Sequence, residues 1–212
     1  MLATRPVLAL PTVRPLTADD TATYRMLREE ILAMGDGRYF SDSYEREARL
    51  SESQWYLWCT ETPQHCIFGI FDRDYLIGVM MVTQYGEPAD RKVEWEAIWL
   101  DPHYRRQGIA RTAYRQIQQW TLDRGYDRVI LYIRADNKRS QDIHRKQGAR
   151  YGYTKHGEVW ADGSIADAHV FTMDIHALTS GQNRRQTLRH LEESFSFLNR
   201  EIPAVAKEPK RA

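Results

Sequence analysis

Residues 93–113, VEWEAIWLDPHYRRQGIARTA, constrain the fold most, because two different periodicities meet there across one short basic loop. Val93, Trp95, Ile98, Trp99 and Leu100 have the apolar, aromatic and β-branched density of a strand, and Asp101-Pro102 stops it because proline removes a ladder donor. Ile109, Ala113, Ile117 and Trp120 then recur at spacings of four, four and three, one face of a helix that ends near Gly125. Between the two lies Arg105-Arg106-Gln107-Gly108-Ile109-Ala110. The first turn of a helix has unpaired N–H groups and a partial positive charge, and a glycine there lets backbone donors approach an anion closely. Two adjacent arginines make a phosphate the expected anion.

The flanking sequence supplies further elements. Residues 12–16 read as a short edge strand, 17–20 as a helix start with acids in its first turn, and Tyr24, Leu27, Ile31 and Leu32 as an amphipathic face ended by Gly35-Asp36-Gly37. A second helical stretch is expected over 43–50. Residues 66–71 and 76–83 form two strands about the polar turn Asp72-Arg73-Asp74, and the unbroken apolar run 129–133 suits a strand covered on both faces. A short helix over 140–147 stops at Gly148. Tyr151, Tyr153, Val159 and Trp160 suggest a further strand, and 168–175 the last.

At 212 residues and 42% hydrophobic content, the chain can bury one sizeable core. A formal charge of +1 carries no polybasic signature, so no nucleic-acid partner is expected. Cys59 and Cys66 stand alone, without Cys-x-x-Cys or His pairing at metal spacing. Neither a disulfide framework nor a metal site is expected, and the setting is read as reducing and cytoplasmic. No apolar run approaches the roughly 18–20 residues of a membrane span, so no membrane partner is expected.

Arg105-x-x-Gly108-x-Ala110 resembles the (Gln/Arg)-x-x-Gly-x-(Gly/Ala) signature of the GCN5-related N-acetyltransferases, the GNAT family. The strand ending in Leu100-Asp101-Pro102, the second strand at 129–133 and the stretch 137–148, similar to the family's next motif, strengthen the likeness, which spans roughly 12–175. The resemblance implies a mixed α/β fold: a central mixed sheet of about six to seven strands with flanking helices, over an acetyltransferase domain at 12–176. The remaining residues read as a flexible arm at 1–11 and, departing from a minimal acetyltransferase, a C-terminal extension: an amphipathic helix at 177–205 and a disordered basic tail at 206–212. Leu188, Leu191, Phe195, Leu198 and Ile202 form that helix's stripe, which packs on its own domain or makes a homodimer.

The resemblance further implies acetyl-CoA as co-substrate. Its pyrophosphate would meet backbone N–H groups and charges of Arg105, Arg106, Gln107, Gly108, Ile109, Ala110 and Arg111. Its pantetheine arm would lie between splayed strands, against backbone groups of Trp99 and Leu100 and near Asn137, a position that a turn asparagine also explains. The segment between the first two strands shapes the acceptor pocket in the family, which makes Tyr39, Phe40, Tyr44 and Glu47 candidate substrate contacts.

An alkylamine of pKa ~10.4 must lose a proton before it attacks, so a carboxylate is needed at the acceptor site. Glu94 and Glu96 alternate on one side of the central strand. Glu96, nearer the expected thioester, is the favoured base, and Glu94 an orienting or competing one. Relatives commonly protonate the departing thiolate with a tyrosine in a Tyr-x-x-x-Gly-Phe pattern. This chain has His144-Arg145-Lys146-Gln147-Gly148-Ala149. A protonated His144, its pKa raised by Asp142, could serve. Alternatively His144 binds the sulfur or caps the helix, and Tyr132, Tyr151, Tyr153 or water donates. The expected activity is N-acetylation of a small-molecule primary amine by direct attack in a ternary complex. The alternatives are protein lysine or N-terminal acetylation, and a non-catalytic acyl-CoA-binding scaffold.

Overall fold

The computed structural model describes residues 11–41 and 44–177. Most of the expected N-terminal arm, the C-terminal helix with its dimer interface, and the basic tail lie outside the described residues. The elements run β1 (Thr12–Pro15), α1 (Thr21–Ala33), α2 (Tyr44–Glu47), α3 (Glu52–Cys59), β2 (His65–Asp72), β3 (Tyr75–Tyr85), β4 (Lys92–Leu100), α4 (Ile109–Asp123), β5 (Arg128–Arg134), α5 (Lys138–Lys146), β6 (Arg150–Val159) and β7 (Ile165–Asp174). The seven strands make one sheet in the order β1-β2-β3-β4-β5-β7-β6. Only β4 and β5 pair in parallel; the other neighbours are antiparallel. This is the expected mixed α/β architecture.

The period of four, four and three in α4 is realised: Ile109, Ala113, Ile117 and Trp120 are all buried, and Gly125 just beyond the helix has φ 75°. That left-handed conformation is the usual glycine stop. The expected helix over 43–50 is shorter, at Tyr44–Glu47, and α3 follows it unannounced. Its sequence, ESQWYLWC, has no apolar stripe, since only Trp55 and Cys59 are buried. Its start is nonetheless encoded, by the reciprocal capping pair Ser51 and Gln54. Trp55 packs edge-on to Tyr24, and both join Ile31, Val79 and Trp99 in one core cluster between the sheet and the first helices.

Glu47, expected as a substrate contact, is placed by α2 beside Arg28. It is buried in a salt bridge with Arg28, itself buried, whose guanidinium lies 4.7 Å above the Phe40 ring. The pair ties α1 to α2, and its charges compensate each other away from water. Tyr44 opens α2, and only its backbone is described. Glu47→Ala removes a carboxylate from beside a buried guanidinium, so it should destabilise the fold by about 3–5 kcal/mol in urea unfolding. The double change Arg28→Met with Glu47→Leu should cost clearly less, because both members of the buried ion pair then leave together.

Candidate active site

The site begins where the sheet comes apart. β4 and β5 pair over only three positions, Lys92–Arg128, Val93–Val129 and Glu94–Ile130. Just past them, the register of β4 against β3 slips between Glu96 and Trp99, with Ala97 in the left-handed region at φ 48°. A bulge of this kind bends a strand and increases its twist. Two cavities occupy the resulting gap, of about 860 Å³ and about 650 Å³. They share Tyr39, Phe40, Ile98, Asn137, Ser140 and His144 as common wall.

The smaller cavity carries the basic loop. Arg105, Arg106, Gly108, Ile109 and Ala110 line it with Trp99 and Leu100, whereas Gln107 and Arg111 do not. Gly108 caps α4 at φ 80°, and a Cβ placed there would meet no atom within 4 Å. The helix start is therefore open toward the cavity. Of the two arginines, Arg105 is already committed: its Nε donates to the Leu100 carbonyl at 2.7 Å and its guanidinium pairs with Asp36 at 2.5 Å. It therefore braces the loop, and occupies the Leu100 carbonyl that was expected to face a ligand. Trp99 sends its side chain into the core. Arg106 is exposed, and Lys138 and Arg139 at the start of α5 add charge that the sequence reading missed. Their position directly after Asn137, at a helix start, was the available signal. Asn137 itself caps α5, its side chain accepting from the Ser140 N–H at 3.1 Å.

The larger cavity carries the carboxylates. Thr83 faces Glu94 and Met81 faces Glu96 across the ladder, so both glutamates share one surface of the sheet with Tyr85. Tyr132 of β5 meets Tyr85 of β3 at 2.6 Å between hydroxyls, a bridge across β4. Burial is the main reason that the Glu94 carboxyl is pushed up to about 8, the neighbouring Glu96 charge adds to it, and Lys155 opposes it. Tyr39 and Phe40 line this cavity as expected; Trp58, His65, Lys155 and Trp160 were not anticipated. They form two pairs, 58 with 65 and 155 with 160, that lie far apart in sequence, and only the fold brings the pairs together.

His144 sits in the wall common to both cavities, 3% exposed. Its Nε2 lies 3.4 Å from the Tyr114 hydroxyl, and its buried Nδ1 has no partner. The expected protonated imidazole is corrected here. Burial pushes its pKa down to about 4, and Asp142, largely exposed, turns to Arg145 at 3.6 Å instead. At neutral pH the ring is uncharged. Tyr151 and Tyr153 are half-exposed and line neither cavity, and Tyr132 lines only the larger one. Among the described residues no cluster could hold a metal ion, and no helix is long and apolar enough to cross a membrane.

Residues 29–149 match the sequence profile of the Acetyltransferase (GNAT) family. No curated protein matches the chain in sequence. Solved structures do match in fold. An N-acetyltransferase from Staphylococcus aureus Mu50 is 17% identical with a TM-score of 0.65, covering 79% of this chain and 99% of that one. A phosphinothricin acetyltransferase from Sinorhizobium meliloti, in complex with acetyl-CoA, is 18% identical with a TM-score of 0.63, over 78% and 89% of the two chains. The ribosomal-protein-S18-alanine N-acetyltransferase of Escherichia coli is 16% identical with a TM-score of 0.58, over 78% and 94%.

The environment of Glu94 has a consequence for folding that is independent of any ligand. A carboxyl held near 8 when folded and near 4.5 when unfolded binds its proton more tightly in the native state. Its contribution to stability is complete below about pH 4.5 and is lost as pH rises toward 8. Urea unfolding of the parent and Glu94→Gln at pH ~5 and pH ~8 should therefore show the parent losing stability relative to the variant at the higher pH. An equal difference at both pH values would place Glu94 in water.

Proposed function

The chain belongs to the GNAT family of acetyltransferases, and from that membership we propose that it acetylates the primary amine of a small molecule within a ternary complex. The observation that carries this reading is the wall shared by the two cavities, one lined by the basic loop and one by carboxylates, with His144 in it. Acetyl-CoA supplies the acetyl group as a thioester at the end of a long arm that begins in a pyrophosphate. The open approach to Gly108 fits that group, and Arg106, Lys138, Arg139 and the backbone N–H groups of Gly108, Ile109 and Ala110 are the residues that would hold the phosphates. Arg105 acts from behind, by fixing the loop.

On the acceptor side, Glu94 takes the role of base and Glu96 that of orienting the ammonium. An ordinary glutamate lies about 6 pKa units below an alkylammonium, a transfer costing roughly 8 kcal/mol at 1.36 kcal/mol per unit. With Glu94 near 8 the gap narrows to ~2.4 units, roughly 3 kcal/mol. The proton then moves from the ammonium nitrogen to a Glu94 oxygen, which leaves the nitrogen lone pair available. Lys155 lines the same cavity 5.0 Å from the Tyr132 ring, is felt electrostatically at Glu94 and pairs with Glu158 at 3.2 Å. With Glu94, Glu96 and Glu158 all in its lining, the cavity suits a small cationic amine such as an amino-acid-like metabolite.

Thiol release from acetyl-CoA should be stimulated by some member of a panel of amines and amino acids, and Gly108→Glu should abolish both release and acetyl-CoA binding while the protein stays folded. Tight acetyl-CoA binding by the folded variant would remove the phosphate assignment, and acetyl-CoA binding without thiol release for any amine would leave a scaffold. In the parent, kcat/KM should climb as pH rises through about 8. Glu94→Gln should lose that limb and at least about a hundredfold in rate, whereas a Glu96→Gln variant that alone loses the limb would transfer the role to Glu96.

A further inference from the structure

We infer that Tyr114 fixes His144 as the tautomer protonated on Nδ1, so that the neutral imidazole serves as a hydrogen-bond donor to the departing sulfur. The inference rests on the acetyl-transfer reading only for the identity of the sulfur; the tautomer itself follows from the structure.

His144 reaches the shared wall from α5, and Tyr114 from the second turn of α4. The rings meet edge to face at 5.8 Å between centroids. The one hydrogen bond that the Tyr114 hydroxyl makes among the described residues is to His144 Nε2, at 3.4 Å. Two arrangements of protons are open to this pair. If Nε2 carried the proton, the tyrosine hydroxyl would have to accept from it, its own hydrogen would have no protein acceptor, and the Nδ1 lone pair would be buried without a donor. If Nε2 accepts from the tyrosine, both of those groups are satisfied. Only the Nδ1–H then lacks a partner, and the ring that carries it lines both cavities. A buried polar group without a partner costs about 1–3 kcal/mol, so the second arrangement, with one such group against two, is favoured.

The residual vacancy is also on the correct atom for the chemistry. A departing thiolate needs a donor, and a lone pair directed at it would repel it. Burial keeps the imidazole neutral, as its low pKa records, so the donor is an N–H that stabilises sulfur without surrendering its proton. Tyr114 is thus a positioning residue: it touches no reacting atom and acts through the ring of His144. The thiolate is protonated afterwards from water.

The tautomer can be read directly. Protein labelled with ¹⁵N-histidine, with the His144 signals assigned by their loss in His144→Gln, should show in long-range ¹H–¹⁵N spectra at neutral pH an Nδ1-protonated ring in the parent. In Tyr114→Phe the ring should pass to the Nε2-protonated form or to a mixture. The same variant should slow the single-turnover chemical step on the order of tenfold, with acetyl-CoA affinity within about twofold of the parent, since the loss is that of one hydrogen bond. An Nε2-protonated His144 in the parent overturns the proposal, as does a Phe variant with the parent's tautomer and rate. An Nδ1-protonated ring in a parent that releases no thiol with any amine would defeat the acetyl-transfer reading and leave the tautomer assignment standing.

Discussion

Three residue pairs between β4 and β5 set the geometry on which everything else depends. A parallel ladder that ran the full length of both strands would fill the space that now forms the two cavities. It is stopped after Glu94 and Ile130, and the bulge at Ala97 carries β4 away within three residues. A non-glycine residue held at positive φ costs something like a kilocalorie per mole or more. The surrounding sheet supports it: Trp99 anchors β4 in the core on one side of the bulge, and Val93 and Trp95, both buried, anchor it on the other. The opening is therefore a built feature of a well-packed sheet.

From that opening follow the different fates of four ionisable groups. Glu94, buried in the wall of the larger cavity, keeps its proton to an unusually high pH, while His144 loses its own to an unusually low one. Both shifts have burial as their first cause. Arg105 and Glu47, by contrast, found partners within the protein and became structural. Sequence position could not separate these outcomes. Being a glutamate on the right strand or an arginine in the right loop says nothing of whether a counterion waits nearby.

The legible parts of the chain were those written locally. The α4 stripe, the strand boundaries to within a few residues and the glycine at the helix start were all readable because each depends on neighbours a few residues away. Helix α3 was missed because its burial is confined to Trp55 and Cys59, too few for a period, although its Ser51–Gln54 cap was on the page. The larger cavity was the least legible. Trp58 and His65 come from one stretch of chain, Lys155 and Trp160 from a much later one, and only strand order and register make them neighbours. The expected help of Asp142 to His144 has the same difficulty: the two are near in sequence, but a helix points residues two apart in different directions.

The segment carrying Tyr39 and Phe40 does more than line the cavities. Asp36 pairs with Arg105 on the β4 side of the gap, whereas the carbonyl of Arg38 accepts from Arg134 of β5 at 3.0 Å and that of Phe40 from Ala161, in the β6–β7 turn, at 2.9 Å. Both banks of the split are thus stitched to one short stretch of backbone. Mechanically, the gap in the sheet is a closed ring, with the paired ends of β4 and β5 as one arc and residues 36–40 as the other. A ring resists prying where an open fork would splay. The spacing between the two cavities is accordingly set by the scaffold and not by the loops around them alone.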